Sequence, residues 1–303
     1  MSAIERPSKV HFNELIVEHP FDDLGDWCMA TLFSPAVSPD RVKEFLMRVL
    51  FDMKFGEHFN DLTALPKKEP FIESGVRAMT DQEPTSKMRE VSETACYAVL
   101  WIERELNRPS EHRWLEMPVK GERPRESESG LDVFYLELSP KGAEHDRMVV
   151  GEVKSTSEAD EAKIQARFKR LDAQVSKILK RFTNENEVPE ILLYRLNRFA
   201  DQHFSNGVDK ARVQKFWSKY EERDAGVSIL SFLMFDSCWL EDSGKLTHVK
   251  KALGKLEALT KEWGWNCEQN LLMIFPLEGF PESLDSLYAL LDRIKSEWLQ
   301  ILT

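Results

Sequence analysis

Three side chains fall into a spacing that suits metal-assisted hydrolysis. Ser129-Gly130-Leu131-Asp132-Val133-Phe134 is followed, beyond a short polar stretch, by Val149-Val150-Gly151-Glu152-Val153-Lys154. Residues 131–138 and 148–153 read as strands, and Pro140 and Gly142 between them suit a hairpin turn. In an antiparallel pairing about that turn, residues whose numbers sum to about 284 face each other, which sets Asp132 opposite Glu152. Lys154 then shares the face of Glu152, because side chains alternate along a strand. Opposed Cβ atoms lie roughly 5 Å apart, a separation that one metal ion bridges. Phosphodiester cleavage needs a hydroxide nucleophile and a counter-charge for the phosphate. Carboxylates that hold Mg²⁺ (or Mn²⁺) supply both, and a neighbouring lysine orients the water or stabilises the developing charge.

Acid-x-Lys by itself is a weak signal in so charged a chain. It occurs at Asp52-Lys54, Glu152-Lys154 and Glu161-Lys163, and only the second has a β-rich setting with an Asp on the preceding strand. The bland alternative is a half-exposed hairpin with a cross-strand salt bridge and no chemistry. Two facing acids count against it, since they repel unless a cation lies between them. A fourth group is expected from the preceding helix. There Glu93 interrupts a small and apolar side, with Glu90, one turn away, as the competing choice. Downstream, Lys163, Arg167, Lys169, Arg170, Lys177, Lys180 and Arg181 stand against a single acid, Asp172. This stripe fits either a track for a phosphate backbone or the solvated face of an amphipathic helix. Gln165 and Gln174 on the same helix are weaker candidates for a phosphate or a water.

The elements that must position these groups follow from periodicity. Ser38 to Asp40 starts a helix over 41–51, while Leu65-Pro66-Lys67-Lys68-Glu69-Pro70 reads as a loop and an internal boundary. From Pro84, with Thr85 or Ser86 as cap, apolar residues recur at helical spacing as far as Asn107. A short strand is expected over 114–119. After the hairpin come a long helix over 158–182, a strand over 227–235, a helix near 245–262, a strand over 270–275 and a closing helix from Ser283. This order predicts a mixed α/β fold, with a central mixed sheet flanked by helices. Residues 1–80 form an N-terminal extension of unclear role, and 81–303 form the domain that carries the site.

Bulk properties narrow the field. With 303 residues the chain buries a sizeable core as one large domain or two. It holds no apolar run near the roughly 20 residues a membrane helix needs, and no secretory leader. The scattered cysteines, Cys28, Cys96, Cys238 and Cys267, suit reduced thiols in a cytoplasm rather than a zinc site or disulfide scaffold. The phosphate loop of an ATPase, the nucleophile elbow of a hydrolase and the His-Glu-x-x-His helix of a zinc protease are all missing, so no ATP site of its own is expected. The net charge of −11 runs against a protein that grips DNA alone. Either the DNA-facing surface is local, or a partner delivers the nucleic acid.

With Glu93 on a helix, the Gly130/Asp132 to Glu152/Lys154 hairpin and the late strand Leu271-Leu272-Met273-Ile274-Phe275-Pro276-Leu277, the chain resembles nucleases of the PD-(D/E)XK class. Within that class it is similar to the nuclease-like subunit of Hachiman-type anti-phage systems and to related abortive-infection proteins. The likeness covers about residues 85–303. It implies a restriction-endonuclease-like core, an Mg²⁺-dependent deoxyribonuclease with Asp132 and Glu152 as metal ligands, and a superfamily 2 helicase partner. That helicase would hold the nuclease silent until infection or DNA damage. A pseudo-nuclease subunit that binds DNA or regulates the helicase is the alternative, and a restriction-type enzyme with its own site preference is a third.

Overall fold

The computed structural model describes residues 15–18, 28–35, 38–55, 68–107, 113–116, 132–155, 211–215, 226–236 and 267–302. Seven strands form one mixed sheet: β1 (Leu15–Glu18), β2 (Cys28–Pro35), β3 (Arg113–Glu116), β4 (Val133–Leu138), β5 (Arg147–Ser155), β6 (Gly226–Phe235) and β7 (Cys267–Pro276). Their order across the sheet is β1-β2-β7-β6-β5-β4-β3. The pairings β2–β7, β7–β6 and β6–β5 are parallel, whereas β1–β2, β5–β4 and β4–β3 are antiparallel. Among the described residues the long α-helices are α1 (Pro39–Phe55), α2 (Lys68–Thr80), α3 (Pro84–Asn107) and α4 (Leu284–Leu302), and residues 211–215 are helical as well.

The hairpin takes the register expected of it. Val133 pairs with Gly151, Phe134 with Val150 and Tyr135 with Val149, each pair summing to 284. Gly142 sits at φ 125 in the connection, a conformation that favours glycine, and one turn of 3-10 helix (Ala143–His145) precedes β5. Strand β5 is longer than the sequence pattern suggested, running from Arg147 to Ser155 where 148–153 was expected, whereas β4 starts at Val133 and not at 131. The strand expected over 114–119 is confined to Arg113–Glu116 among the described residues.

Alternation along the parallel strands divides the sheet into two faces. Val149 and Val153 of β5, Leu230, Phe232 and Met234 of β6, and Leu271, Met273 and Phe275 of β7 join one apolar cluster with the inward sides of α1 to α4. Glu152 and Lys154 project from the other face, in register with Ser231 and Leu233 of β6. The helical layer is tied by charge as well as by burial. Arg48 on α1 reaches Glu297 on α4 at 2.7 Å, and Arg293 on α4 reaches Glu44 on α1 at 2.6 Å. Trp298 of α4 is buried against Phe51 of α1, with ring centroids 4.9 Å apart.

Two local expectations need correction. The stretch 65–70 is not wholly a loop, because α2 starts at Lys68 and carries Pro70 in its first turn. Proline is tolerated there, since the first amides of a helix have no intrahelical acceptor to lose. Neither Thr85 nor Ser86 caps α3, which begins at Pro84, with the amides of Ser86 and Lys87 both donating to the Glu83 carbonyl. Proline's fixed φ suits the first helical position. The helices expected over 158–182 and 245–262 lie outside the described residues. Residues 28–80 supply β2, α1 and α2 to the same sheet and core as the rest of the described chain.

Candidate active site

The open end of the β4–β5 hairpin gathers the expected groups. Beyond the last ladder pair, Asp132 comes level with Glu152. Its amide donates to the Gly151 carbonyl at 3.1 Å, and its Oδ2 accepts from the Val153 amide at 3.0 Å. The aspartate is therefore fixed at both backbone and side chain. Lys154 Nζ donates to Glu152 Oε2 at 2.7 Å and stands 4.0 Å from Asp132 Oδ2. Asp132, Glu152 and Lys154 thus converge on one point, with side-chain exposures of 11%, 3% and 17%.

Gly151 explains how the strand carrying this pair lies so close to β6. A Cβ built there would stand 2.7 Å from the Leu230 carbonyl oxygen, too near for any other residue. Glycine at this place lets β5 settle against β6 with Glu152 held on the outward face.

Burial of Glu152 has an electrostatic cost. Loss of water and the facing Asp132 carboxylate, which also hydrogen-bonds to it, push its carboxyl up to about 8 from the ordinary 4.5, while Lys154 pulls the other way. Desolvation and like-charge repulsion outweigh the lysine. A further cation beside Glu152 would favour its ionised form.

Helix α3 contributes from the side. Glu93, with a side chain only 6% exposed, accepts from Arg89 Nε at 2.7 Å, and Arg89 Nη2 donates to Asp132 Oδ1 at 3.1 Å. Glu93 therefore reaches the site through Arg89. Burial, followed by the charges of Asp132 and Glu93, raises the Cys96 thiol on the same helix, which places that thiol within the field of both acids. Glu90 belongs elsewhere: it meets Lys54 Nζ at 2.6 Å and accepts from the Tyr288 hydroxyl at 2.9 Å, locking α3 to α1 and α4. Of the two glutamates weighed on this helix, only Glu93 is linked to Asp132. The lysine of the Asp52-Lys54 pair is likewise spent on packing.

Arg89 was not singled out from the sequence. Its signal was there, an Arg four residues before Glu93 on one helical face, but such pairs are common on solvated helices. Ser231 was also missed; 2% exposed and level with Glu152, it flanks the site on β6. Lys163, Arg167, Lys169, Arg170, Gln165 and Gln174 lie outside the described residues, as does the Glu161-Lys163 pair.

Among the described residues no three carboxylate, imidazole or thiol groups lie close enough to hold a metal ion unaided. Two carboxylates do converge, however, and Mg²⁺ is commonly held by one or two carboxylates, with waters and substrate phosphates completing its shell. Asp132 and Glu152 fit that pattern. No family model, curated protein or solved structure matches this chain.

Proposed function

We propose that the chain is an Mg²⁺-dependent deoxyribonuclease of the PD-(D/E)XK type. The observation that carries this reading is the convergence of Lys154 on Glu152 and Asp132 at the open end of the hairpin. The order of elements is consistent with it: a helix bearing Glu93, three antiparallel strands in sequence, and then β6 returning parallel to β5. That succession fits a restriction-endonuclease-like core, with β1, β2, β7 and the remaining helices added around it.

Each residue has a definable task. Asp132 and Glu152 would hold Mg²⁺, which supplies a lowered water pKa and a counter-charge for the phosphate. Lys154, already hydrogen-bonded to Glu152, is placed to orient the attacking water and to offset charge building on the phosphate oxygens. Backbone donation from Val153 keeps one Asp132 oxygen fixed, so the site is preorganised at that carboxylate. A role as effector of an anti-phage system beside a superfamily 2 helicase belongs to the same proposal. The net charge of −11 supports a partner that brings the DNA.

That same acidity favours one second reading, a non-catalytic subunit acting on the partner. Purified protein incubated with supercoiled plasmid and with single-stranded DNA, with and without Mg²⁺, distinguishes the two. Metal-dependent cutting that vanishes in Lys154→Ala supports the nuclease. A wild-type chain that leaves both substrates intact, alone and with the helicase added, rules it out.

A further inference from the structure

The geometry points to Arg89 as a displaceable counter-ion that sets the divalent-cation concentration at which the Asp132/Glu152 site loads. The inference rests on the metal-site reading above. It goes beyond that reading by assigning Arg89 a function.

Arg89 uses the fork of its guanidinium on two acids at once, Nε on Glu93 and Nη2 on Asp132. The two acids come from different elements, α3 and the start of β4. Asp132 Oδ2 is already engaged by the Val153 amide and approached by Lys154, so Oδ1 is the oxygen through which this carboxylate can turn to a new cation. Arg89 sits on that oxygen. Any divalent ion drawing on Asp132 Oδ1 therefore competes with a permanent positive charge.

The competition is an even one because of where Arg89 lies. Its side chain is 61% exposed, against 6% for Glu93 and 11% for Asp132. An ion pair open to water on its cationic side is held weakly and is screened by salt. Arg89 can swing into solvent while the two carboxylates stay fixed by their elements. A lysine at 89 would keep the charge and lose the two-pronged reach. The arrangement sets a threshold: Arg89 neutralises the acids until the divalent cation is abundant enough to displace it.

The test is direct Mn²⁺ titration of the full chain, following free Mn²⁺ by electron paramagnetic resonance, with the Mn²⁺-induced rise in melting temperature as a second readout. Arg89→Gln is expected to tighten Mn²⁺ binding about two- to fivefold, the scale of an exposed ion pair. It is also expected to melt lower than wild type in EDTA and to gain more from Mn²⁺. Arg89→Lys should fall between the two, and Glu152→Gln should abolish binding. If Mn²⁺ binds wild type in a Glu152-dependent way but Arg89→Gln binds equally or more weakly, the metal site stands and the role of Arg89 is overturned. If Mn²⁺ binds neither chain, or binds regardless of Glu152→Gln, the metal-site reading falls and takes this inference with it.

Discussion

The two ends of the β4–β5 hairpin handle buried carboxylates differently. At the turn end each acid has an arginine of its own: Glu137 pairs with Arg147 across the ladder, and Asp146, whose side chain is fully buried, is gripped by Arg212 through two hydrogen bonds. Arg212 also donates to the Ser139 carbonyl at 2.8 Å, and the Ser139 amide donates to Asp146 at 2.8 Å. Burial still holds the Asp146 carboxyl above its ordinary value, although Arg212 and the Ser139 amide pull it down. At the open end Asp132 pairs with Arg89 and stands near Lys154, while Glu152 has Lys154 alone, and burial with like-charge repulsion prevails at Glu152. One end is a clasp whose charges are matched in place. The other leaves Glu152 without enough positive charge to ionise readily, a lack that a bound cation would supply.

Substitutions at the two ends should therefore separate activity from stability. The largest effect is expected from Glu152→Ala or Lys154→Ala, each lowering Mg²⁺-dependent cutting at least about 100-fold while the far-ultraviolet dichroism stays that of wild type. A plasmid-nicking assay decides it, and undiminished cutting by either variant would sink the assignment. At the turn end Asp146→Ala should cost about 3–5 kcal/mol, because it strands a partly buried arginine. Urea unfolding would show this, and a loss under about 1 kcal/mol would mean that the clasp is ornamental. Gly151→Ala joins the two ends of the comparison, since it pushes β5 off β6 beneath the site. It should destabilise by about 1–3 kcal/mol through overpacking and weaken cutting as well.

A separate test concerns pH in the chelated protein. The Glu152 carboxyl titrates higher in the folded chain than in the unfolded one, so its contribution is present at low pH and is lost as pH rises from about 4.5 to about 8. Glu152→Gln cannot ionise and should gain on wild type across that window. Melting curves in EDTA at pH 5 and pH 8.5 check this, and parallel pH dependence in the two chains would show that Glu152 ionises freely. Added Mg²⁺ should shrink the difference.

What could be read in advance tracks how local the determining interactions are. The hairpin register followed from Pro140, Gly142 and two runs of β-branched and aromatic residues, so Asp132 could be set against Glu152 before any coordinates. Helix α3 was visible from Val91, Ala95, Ala98, Val99 and Ile102 for the same reason. Strands β1 and β2 were not, since their partners lie far along the chain and short apolar runs bounded by turn residues fit strand and loop alike. The start of α2 was hidden by Pro66 and Pro70, which mark a break and a permitted first turn equally well. Sorting Glu90 from Glu93 needed tertiary structure, because only the arrival of Lys54 and Tyr288 shows which of them holds helices together. Arg89 lay beyond reach for a similar reason, as its second acid comes from another element.

The position of β2 bears on how the chain comes off the ribosome. This strand precedes β7 by more than 200 residues, yet it lies between β1 and β7, with Cys28 level with Asn270. During synthesis the β4–β5 hairpin can close within moments of its own emergence, whereas β2 must wait for more than 200 further residues before its parallel partner exists. Until β7 arrives, the nascent protein presents β2 and β6 as open edges ready to pair with other chains. A fragment cut before β7 would carry Arg89, Asp132, Glu152 and Lys154 on an unsealed sheet, and aggregation is its expected fate.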